Sequence, residues 1–292
     1  MSLQDDIHAV LDKLSNNEGD QLGIDEAWIK SAGEKVGQVV EAALTRQFTR
    51  RDEGFRLRMS NIDKPLCQLQ MAKSGAVPER KDYNFVMRML HGDIIESIMD
   101  LILEIAQANI TGGKTKVKLE LDGTTIKGEN DIEIDNKVYD IKSSAPFSFD
   151  RKWKKGIDGL KSEDPFGYIG QLVGYSEAQG MDTGGWIVVC KSTGQVVVVE
   201  ADFSDEEKAT VLARLQKNVT AIKDDWQFSR CFEPVDDFFN RKYTNSKKLP
   251  MSCGFCDFKQ TCWPNAKLLP SPKSKAKEPP KAWYTRYDGV DL

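Results

Sequence analysis

Histidine, cysteine and long apolar runs are all scarce in this sequence. Its 292 residues include two histidines and six cysteines. No apolar run reaches the ~20 residues that a membrane-spanning helix requires, so we expect no membrane partner. The opening residues, MSLQDDIHAV, lack the charged and then apolar plan of a signal peptide, and we expect a cytoplasmic protein. In that compartment, six cysteines indicate metal binding, redox chemistry or burial rather than structural disulfides.

An excess of positive charge is also missing. The formal net charge is −4 and the pI is about 5.5, whereas nucleic-acid-binding proteins are usually basic overall. This balance counts mildly against a nucleic-acid partner, although it permits a local basic groove around an acidic, metal-binding centre. The phosphate-binding pattern G-x-x-x-x-G-K followed by Ser or Thr does not occur, so any unwinding of nucleic acid would come from a partner.

The hydrophobic pattern predicts an α/β protein. Apolar spacing and turn residues predict helices over 3–14, 25–48, 82–109, 166–179 and 204–227, and strands over 115–122, 125–134 and 137–142. The segments WIVVC and QVVVVEA flank KSTG and predict a β-hairpin. We therefore expect a helical N-terminal region over 1–80, an α/β core over 81–227, an irregular cysteine-rich region over 228–263 and a flexible Pro/Lys/Ser-rich tail over 264–292.

Like charges are concentrated in residues 126–144, IKGENDIEIDNKVYDIKSS. A two-residue turn at Asp135-Asn136 would pair its two alternating strands so that Asp131 lies opposite Asp140 and Glu129 lies opposite Lys142. Opposed carboxylates destabilise a sheet unless something compensates them. A divalent cation such as Mg²⁺ or Mn²⁺ would do so. The alternative is a solvated sheet face on which Lys142 softens the repulsion.

Four short motifs occur in a suggestive order. His91 lies on the long predicted helix, Gly128-x-x-Asp131 and Asp140-Ile141-Lys142 follow on strands, and Gln171-x-x-x-Tyr175 follows on a helix. This ordered set resembles the PD-(D/E)XK nuclease superfamily in its RecB/AddB-type exonuclease branch, which includes CRISPR-associated and phage RecB-like exonucleases. The resemblance covers residues 62–263 and implies a restriction-endonuclease-like core, a mixed central sheet flanked by helices. A phage-encoded protein would act in the host cytoplasm.

The resemblance also implies the roles of these residues. Asp131, Asp140, His91 and the carbonyl of Ile141 would hold Mg²⁺ or Mn²⁺, and Lys142 would orient the attacking water. Gln171 and Tyr175 would position the substrate and Lys142. From the residues alone, a histidine in the position of His91 is more often an edge residue of the helix than a metal ligand, and Glu96 is more often a solvated helix residue than a more distant partner of the site.

Three cysteines lie close together near the C-terminus, in CGFCDFKQTC. Cys253-x₂-Cys256-x₅-Cys262 has chelating spacing and lacks a fourth ligand. We expect Cys67 to supply it, Cys231 being a weaker candidate and Cys190 a buried strand residue. This spacing does not separate zinc from an iron–sulfur cluster. The resemblance implies a 4Fe-4S cluster, because that branch places one cysteine before the core and three after it, as a staple across the core.

These expectations predict a metal-dependent DNA exonuclease that acts on single strands or ends. Polarity cannot be read from the residues; the resemblance to relatives with an iron–sulfur staple implies 5′→3′. The alternatives are a structure-specific endonuclease or nickase, and a non-catalytic DNA-binding recombination accessory protein with structural zinc. Basic residues in RKWKK at 151–155, with Trp153, are a candidate contact for single-stranded DNA, and Arg46, Arg50 and Arg51 are a weaker one. The terminal AWYTRYDGVDL is a candidate docking segment for a helicase or a single-strand-binding protein. No sequence feature reports an oligomeric state.

Overall fold

The computed structural model describes residues 2–49 and 54–292. The α-helices are α1 (Leu3–Ser15), α2 (Glu26–Phe48), α3 (Leu66–Lys73), α4 (Phe85–Ile105), α5 (Pro146–Arg151), α6 (Ile157–Ser162), α7 (Tyr168–Gln179), α8 (Asp205–Lys223), α9 (Met251–Gly254) and α10 (Lys259–Cys262). The strands are β1 (Ile110–Gly113), β2 (Lys116–Leu121), β3 (Thr124–Glu129), β4 (Ile132–Ile134), β5 (Lys137–Ser144), β6 (Asp182–Cys190), β7 (Val196–Glu200), β8 (Val235–Phe239), β9 (Lys242–Lys248), β10 (Lys267–Pro270), β11 (Lys281–Tyr287) and β12 (Val290–Asp291). In the described part of the chain, no helix combines the length and the apolar character needed to cross a bilayer.

A mixed five-stranded sheet, which we call the central sheet, organises the chain in the order β1-β4-β5-β6-β7. Its only parallel pair is β5 with β6, and the connection between them runs through α5, α6 and α7. One face packs against α1 and α4, and the other packs against α7, α8 and the β2–β3 hairpin. The predicted α/β class, with a mixed sheet flanked by helices, is confirmed. Because α1 packs on α4 and β7, the N-terminal region is joined to the core rather than a separate wing.

The two-residue turn predicted at Asp135-Asn136 is present. Ile134 pairs with Lys137, and Asp135 and Asn136 have positive φ angles of 52° and 58°. The predicted strand 125–134 is nevertheless two strands in different sheets, since β3 pairs with β2 and β4 pairs with β5. The break occurs at buried Asn130, whose Oδ1 accepts from Thr115 N at 2.8 Å and so replaces strand pairing with a side-chain hydrogen bond.

This break corrects one predicted pairing. Glu129 lies opposite Lys116 on β2, rather than opposite Lys142. The β4–β5 ladder ends at Ile132 and Tyr139, so Asp131 leaves the strand just before it would face Asp140. The two carboxylates still approach one another, but through a bend in the chain rather than through a continuous ladder.

The predicted flexible tail is wrong. Strands β10, β11 and β12 lie in that segment and join β8 and β9 in a second sheet, the C-terminal sheet, of order β10-β11-β9-β8. Tyr284 of β11 is 1% exposed. The Pro/Lys/Ser-rich residues are confined largely to the loop between β10 and β11, and their composition obscured the short apolar strands on either side. AWYTRYDGVDL is therefore part of a sheet, which weakens its candidacy as a free docking segment.

Candidate active site

The structure brings the Asp131, Asp140 and Lys142 side chains together at one edge of the central sheet. Asp131 lies in the bend between β3 and β4, and its Oδ2 accepts a hydrogen bond from Ile141 N at 2.8 Å. Asp140 and Lys142 are two residues apart on β5, so both side chains point to the same face. Lys142 Nζ donates to Asp140 Oδ1 at 2.7 Å and lies equally close to Oδ2.

The buried Asp140 carboxylate has one ammonium for its two oxygens. Asp140 is 2% exposed, and Lys142 Nζ lies 2.7 Å from both Oδ1 and Oδ2, with no second donor to Oδ2 within residues 2–49 and 54–292. A buried carboxylate with a single donor is costly, since water cannot supply the missing hydrogen bonds. Burial, followed by the nearby Asp131 carboxylate, raises the pKa of Asp140 to about 7, although Lys142 opposes the shift. Asp131 and Asp140 together can carry more negative charge than the single Lys142 ammonium balances.

The Lys142 ammonium is held in its charged state. Burial alone would lower its pKa, but the Asp140 and Asp131 carboxylates raise the pKa of Lys142 above its ordinary value. Its Nζ also lies 5.3 Å from the centre of the Tyr168 ring. The carboxylates and the ring together fix the direction of a side chain that would otherwise be flexible.

A third carboxylate, Glu96 of α4, faces Asp131. Burial, and then the Asp131 carboxylate, raises the pKa of Glu96, while Lys114 opposes the shift through an ion pair with Glu96. The neighbouring Asp100 has its pKa raised to about 6, first by burial, with Asp131 adding to the rise. Glu96, Asp100, Lys114 and Asp131 line a cavity of about 300 Å³. Each carboxylate here is paired with a lysine or crowded by another carboxylate.

His91 lies away from this cluster. Its side chain is exposed, and it lines neither the cavity beside Asp131 nor the larger one beside Lys142. Five residues separate His91 from Glu96, which turns the two side chains about 140° apart around the helix axis. Sequence reasoning favoured histidine, the rarer residue type in this chain, over glutamate. The signal that favours Glu96 is its position on the buried face of α4, four residues after Gly92 and three before buried Met99.

Gln171 and Tyr175 lie on α7 beneath the same edge. Burial raises the pKa of Tyr175 to about 12, and a hydrogen bond from the Gln171 side chain opposes that rise. The Tyr175 ring packs on Gly128 of β3, where a Cβ would lie 2.7 Å from the ring and 2.6 Å from Met59 Cβ. Gly128 is thus required by the close approach of Tyr175, which gives a packing reason for the glycine in the Gly128-x-x-Asp131 motif.

A larger cavity of about 650 Å³ opens beside Lys142. Its walls include Ile141, Lys142 and Ser143 from β5, Glu96 from α4 and Tyr168 from α7. Glu96 and Asp93 line both this cavity and the one beside Asp131. The candidate site therefore lies where the two cavities meet, accessible from both sides of Glu96.

The donor set suits a hard divalent cation. In the described ranges no three His, Cys, Asp or Glu side chains are arranged as a formed metal site. Instead, the ammonium groups of Lys142 and Lys114 contact Asp140 and Glu96. Carboxylate oxygens are the ligands that Mg²⁺ and Mn²⁺ prefer, and Asp131 and Asp140 present such oxygens beside one another. The residues fit the group that the sequence resemblance implies.

Five of the six cysteines meet in a second region, away from the central sheet. Cys67 N donates to Cys231 Sγ at 3.1 Å. Hydrogen bonding to Cys231 raises the pKa of Cys67, with Cys256 adding to the rise. Burial, and then Cys256, Cys262 and Cys231, raises the pKa of Cys253 to about 11. The four expected cluster ligands therefore lie near one another, with Cys231 among them. Cys190 is buried in β6, as predicted.

Two basic candidates for DNA contact are placed differently than expected. Trp153 is 3% exposed and packs against Tyr168 and Trp186, with ring centres 5.7 and 6.1 Å away, so it cannot stack on a base. Arg46 pairs with Asp93 at 2.7 Å, and Arg50 and Arg51 lie outside the described residues. The lysines of RKWKK therefore flank a tryptophan of the core, not an exposed ring that could stack on a base.

Comparisons with known proteins are limited to distant structural likeness. The sequence matches no protein-family profile, and no curated protein is similar enough to count as a relative. A crystal structure of SSO0001 is similar with 14% identity and a TM-score of 0.44, over 78% of this chain and 95% of that one. A protein from Eubacterium rectale, provisionally named an exonuclease, is similar with 14% identity and a TM-score of 0.34, over 94% of this chain and 78% of that one.

Proposed function

We propose that this protein is a divalent-metal-dependent deoxyribonuclease of the PD-(D/E)XK type, an exonuclease related to the RecB/AddB branch. The observation that carries the proposal is the Asp131–Asp140–Lys142 arrangement. A buried carboxylate whose single donor is Lys142 faces a second carboxylate, and that lysine is held in its charged state beside them. Such an arrangement is expensive to maintain, and perturbed groups of this kind concentrate at functional sites.

The geometry supports the following roles. Asp131, Asp140, Glu96 and the carbonyl of Ile141 would hold Mg²⁺ or Mn²⁺, with Glu96 in the position first expected for His91. When bound, the ion would neutralise phosphate charge and lower the pKa of a water molecule. Lys142 would donate to the attacking water or to the phosphate oxygens, since the carboxylates keep it charged.

The α7 side chains would support Lys142 and the substrate. Tyr168 holds the ammonium through its ring, and Tyr175 packs under β3 beside Asp131 with a hydrogen bond from Gln171. We propose that Gln171 and Tyr175 position the substrate strand, while residues 81–227 form the catalytic core. The substrate would be DNA ends or single strands, cleaved with 5′→3′ polarity, in the cytoplasm of the cell or of a phage host. A helicase or a single-strand-binding protein is the partner class that would supply such strands.

We propose separately that Cys67, Cys253, Cys256 and Cys262 hold a 4Fe-4S cluster that ties residue 67 to the segment after the core. What supports it is the convergence of these thiols: burial, and then Cys256 and Cys262, raises the pKa of Cys253, while hydrogen bonding to Cys231, with a smaller contribution from Cys256, raises the pKa of Cys67. Anaerobically purified protein should be brown and contain about four irons per chain. Cys256→Ala should lose both, while Cys190→Ala should keep both. A colourless protein with one zinc per chain would favour structural zinc instead.

The nuclease proposal is tested with end-labelled DNA in Mg²⁺ or Mn²⁺. Wild type should release nucleotides from an end, and should not in excess chelator. Asp131→Ala and Lys142→Ala should abolish release, whereas Lys30→Ala, an exposed lysine on α2, should not. Blocking the 5′ or the 3′ end separately reads the polarity. DNA binding without cleavage by any form would contradict the proposal and favour a non-catalytic DNA-binding role.

A further inference from the structure

An exposed pair of phenylalanines lies in the same cavity as Lys142. Phe166 and Phe255 are 36% and 55% exposed, and their ring centres are 5.1 Å apart. Both line the cavity of about 650 Å³ that Lys142 also lines. Phe166 stands beside Tyr168, with ring centres 5.5 Å apart, and Tyr168 holds Lys142. A row of rings therefore runs from the cavity mouth to the candidate catalytic lysine.

The same cavity carries cations whose charge is available. Arg80 and Lys191 line it, and within the described residues neither has a carboxylate at salt-bridge distance. Lys191 Nζ instead donates to the backbone oxygen of Arg88 at 3.3 Å. All five acids of the lining are paired with cations: Glu79 with Lys259, Asp257 with Lys81, Asp82 with Arg88, Asp93 with Arg46 and Glu96 with Lys114. The balance of unpaired charge beside the phenylalanines is positive.

We propose that this cavity binds the unpaired bases of single-stranded DNA, with Phe166 and Phe255 as the stacking platform and Arg80 and Lys191 on the phosphates. The inference rests on the proposed nuclease function and specifies its substrate as a single strand. Base stacking on aromatic rings needs a π-face that is free of its neighbours, which a duplex does not offer. Exposed rings beside unpaired cations are the combination that single-strand-binding sites use.

The platform also links the two unusual regions of the molecule. Phe255 lies between Cys253 and Cys256, on the segment where the cysteines meet, while Phe166 precedes α7. The cysteine-rich segment thus supplies one wall of the cavity beside the catalytic edge. Phe166 is distant in sequence from every cysteine of that segment, so the two rings can be altered independently.

The test is binding of a fluorescein-labelled oligonucleotide in excess chelator, so that no cleavage occurs, read by anisotropy. Phe255→Ala and Phe166→Ala should each weaken binding of the single strand about tenfold. Phe255→Trp should bind like wild type, while Phe255→Leu should behave like Phe255→Ala, because leucine keeps apolar bulk but cannot stack. Phe238→Ala is the matched control, since Phe238 is 57% exposed and pairs with Tyr243 on the C-terminal sheet, 5.9 Å between ring centres.

A strand with abasic residues separates stacking from charge. Wild type should bind it about tenfold more weakly than the normal strand, and Phe255→Ala should bind the two alike. Equal binding of normal and abasic strands by wild type, or phenylalanine variants that bind like wild type, would overturn the inference.

Cleavage by the same proteins in Mg²⁺ is scored separately. If the protein cleaves DNA but its binding does not depend on the phenylalanines, this inference is wrong and the nuclease proposal stands. If binding depends on the phenylalanines but no form cleaves DNA, the nuclease proposal is wrong and the binding site stands. A blunt duplex should bind more weakly than the single strand and should be insensitive to both substitutions.

Discussion

Two buried Asp–Lys pairs lie in the two sheets of this protein, and their surroundings differ. In the central sheet Lys142 Nζ lies 2.7 Å from the Asp140 carboxylate, and in the C-terminal sheet Lys248 Nζ lies 2.6 Å from Asp237 Oδ1. The aspartate side chains are 3% and 4% exposed. By distance and burial alone the two pairs are hardly distinguishable.

Their hydrogen bonds separate them. Asp237 Oδ2 accepts from Thr244 Oγ1 at 3.0 Å and from Tyr284 OH at 3.3 Å, so both oxygens are satisfied. Among the described residues, both oxygens of Asp140 share the single Lys142 ammonium, and the Asp131 carboxylate stands beside them. A buried pair with several donors holds a sheet together, whereas one with a single donor and a like charge beside it carries a cost that a bound cation would relieve.

The largest expected effect is on activity at the central pair. Asp140→Asn should lower the rate of DNA cleavage about a thousandfold, because the amide cannot carry the charge that a divalent cation needs. The metal-free protein should be at least as stable as wild type, since the burial cost of the Asp140 charge, which together with the Asp131 repulsion exceeds the attraction to Lys142, is removed. Cleavage rates and urea unfolding in chelator measure the two parts. A variant that is both active and destabilised would reverse the comparison.

The next effect is on stability at the C-terminal pair. Asp237→Ala should lower the free energy of unfolding by about 2–3 kcal/mol, because Lys248, Thr244 and Tyr284 lose their shared acceptor. Cleavage below the unfolding transition should be unchanged. Asp236→Ala, which removes the exposed neighbouring carboxylate, is the control and should shift stability by less than about 0.5 kcal/mol. Equal losses of stability in Asp237→Ala and Asp236→Ala would show that the hydrogen bonds of Asp237 contribute no more than an exposed carboxylate does.

Glu96 and His91 provide a smaller test on one helix. Glu96→Gln should lower cleavage about thirtyfold, because it removes one carboxylate from the cluster around Asp131. His91→Ala should leave the rate within about twofold of wild type, since the side chain is exposed outside both cavities. Initial rates at saturating Mg²⁺ measure both. Loss of activity in His91→Ala alone would restore the histidine as a ligand.

The smallest effect is a pH dependence of stability. The pKa of Asp140 is about 7 in the folded chain and about 4 when unfolded. Between these values the folded state binds more protons, so this residue's contribution to stability is complete below about pH 4 and is lost as pH rises through about 7. Wild type should therefore lose about 2–3 kcal/mol relative to Asp140→Asn between pH 5 and 8 in chelator. A stability difference between wild type and Asp140→Asn that does not change with pH, or that changes in favour of wild type as pH rises, would contradict the raised pKa of Asp140.

Sequence reasoning succeeded where local chemistry was strong. Asp135 and Asn136 both tolerate positive φ, which predicted the two-residue turn that the structure contains. The alternation of polar and apolar residues after the turn predicted which side chains of β5 share a face. It failed at Asn130, because one buried side-chain hydrogen bond ends a strand that alternation alone would continue. No pattern of apolar spacing contains that information.

Two other failures have the same origin in tertiary contacts. Trp153 among lysines had the composition of a DNA contact, but its ring fills a space between Tyr168 and Trp186 that sequence does not reveal. Tyr284 lies in a tail whose average composition predicted flexibility, yet its hydroxyl reaches Asp237, 47 residues earlier. Composition reports a segment's average character, while single buried side chains decide its structure.

Manganese binding tests the comparison between the two pairs most directly. Isothermal titration of Mn²⁺ should show binding to wild type and to Asp237→Asn, and binding at least about tenfold weaker to Asp140→Asn and Asp131→Asn. Circular dichroism checks that each variant is folded at the titration temperature. Equal Mn²⁺ affinity in wild type and Asp140→Asn would contradict the account, because the Asp140 carboxylate would then not be the metal ligand that it is proposed to be.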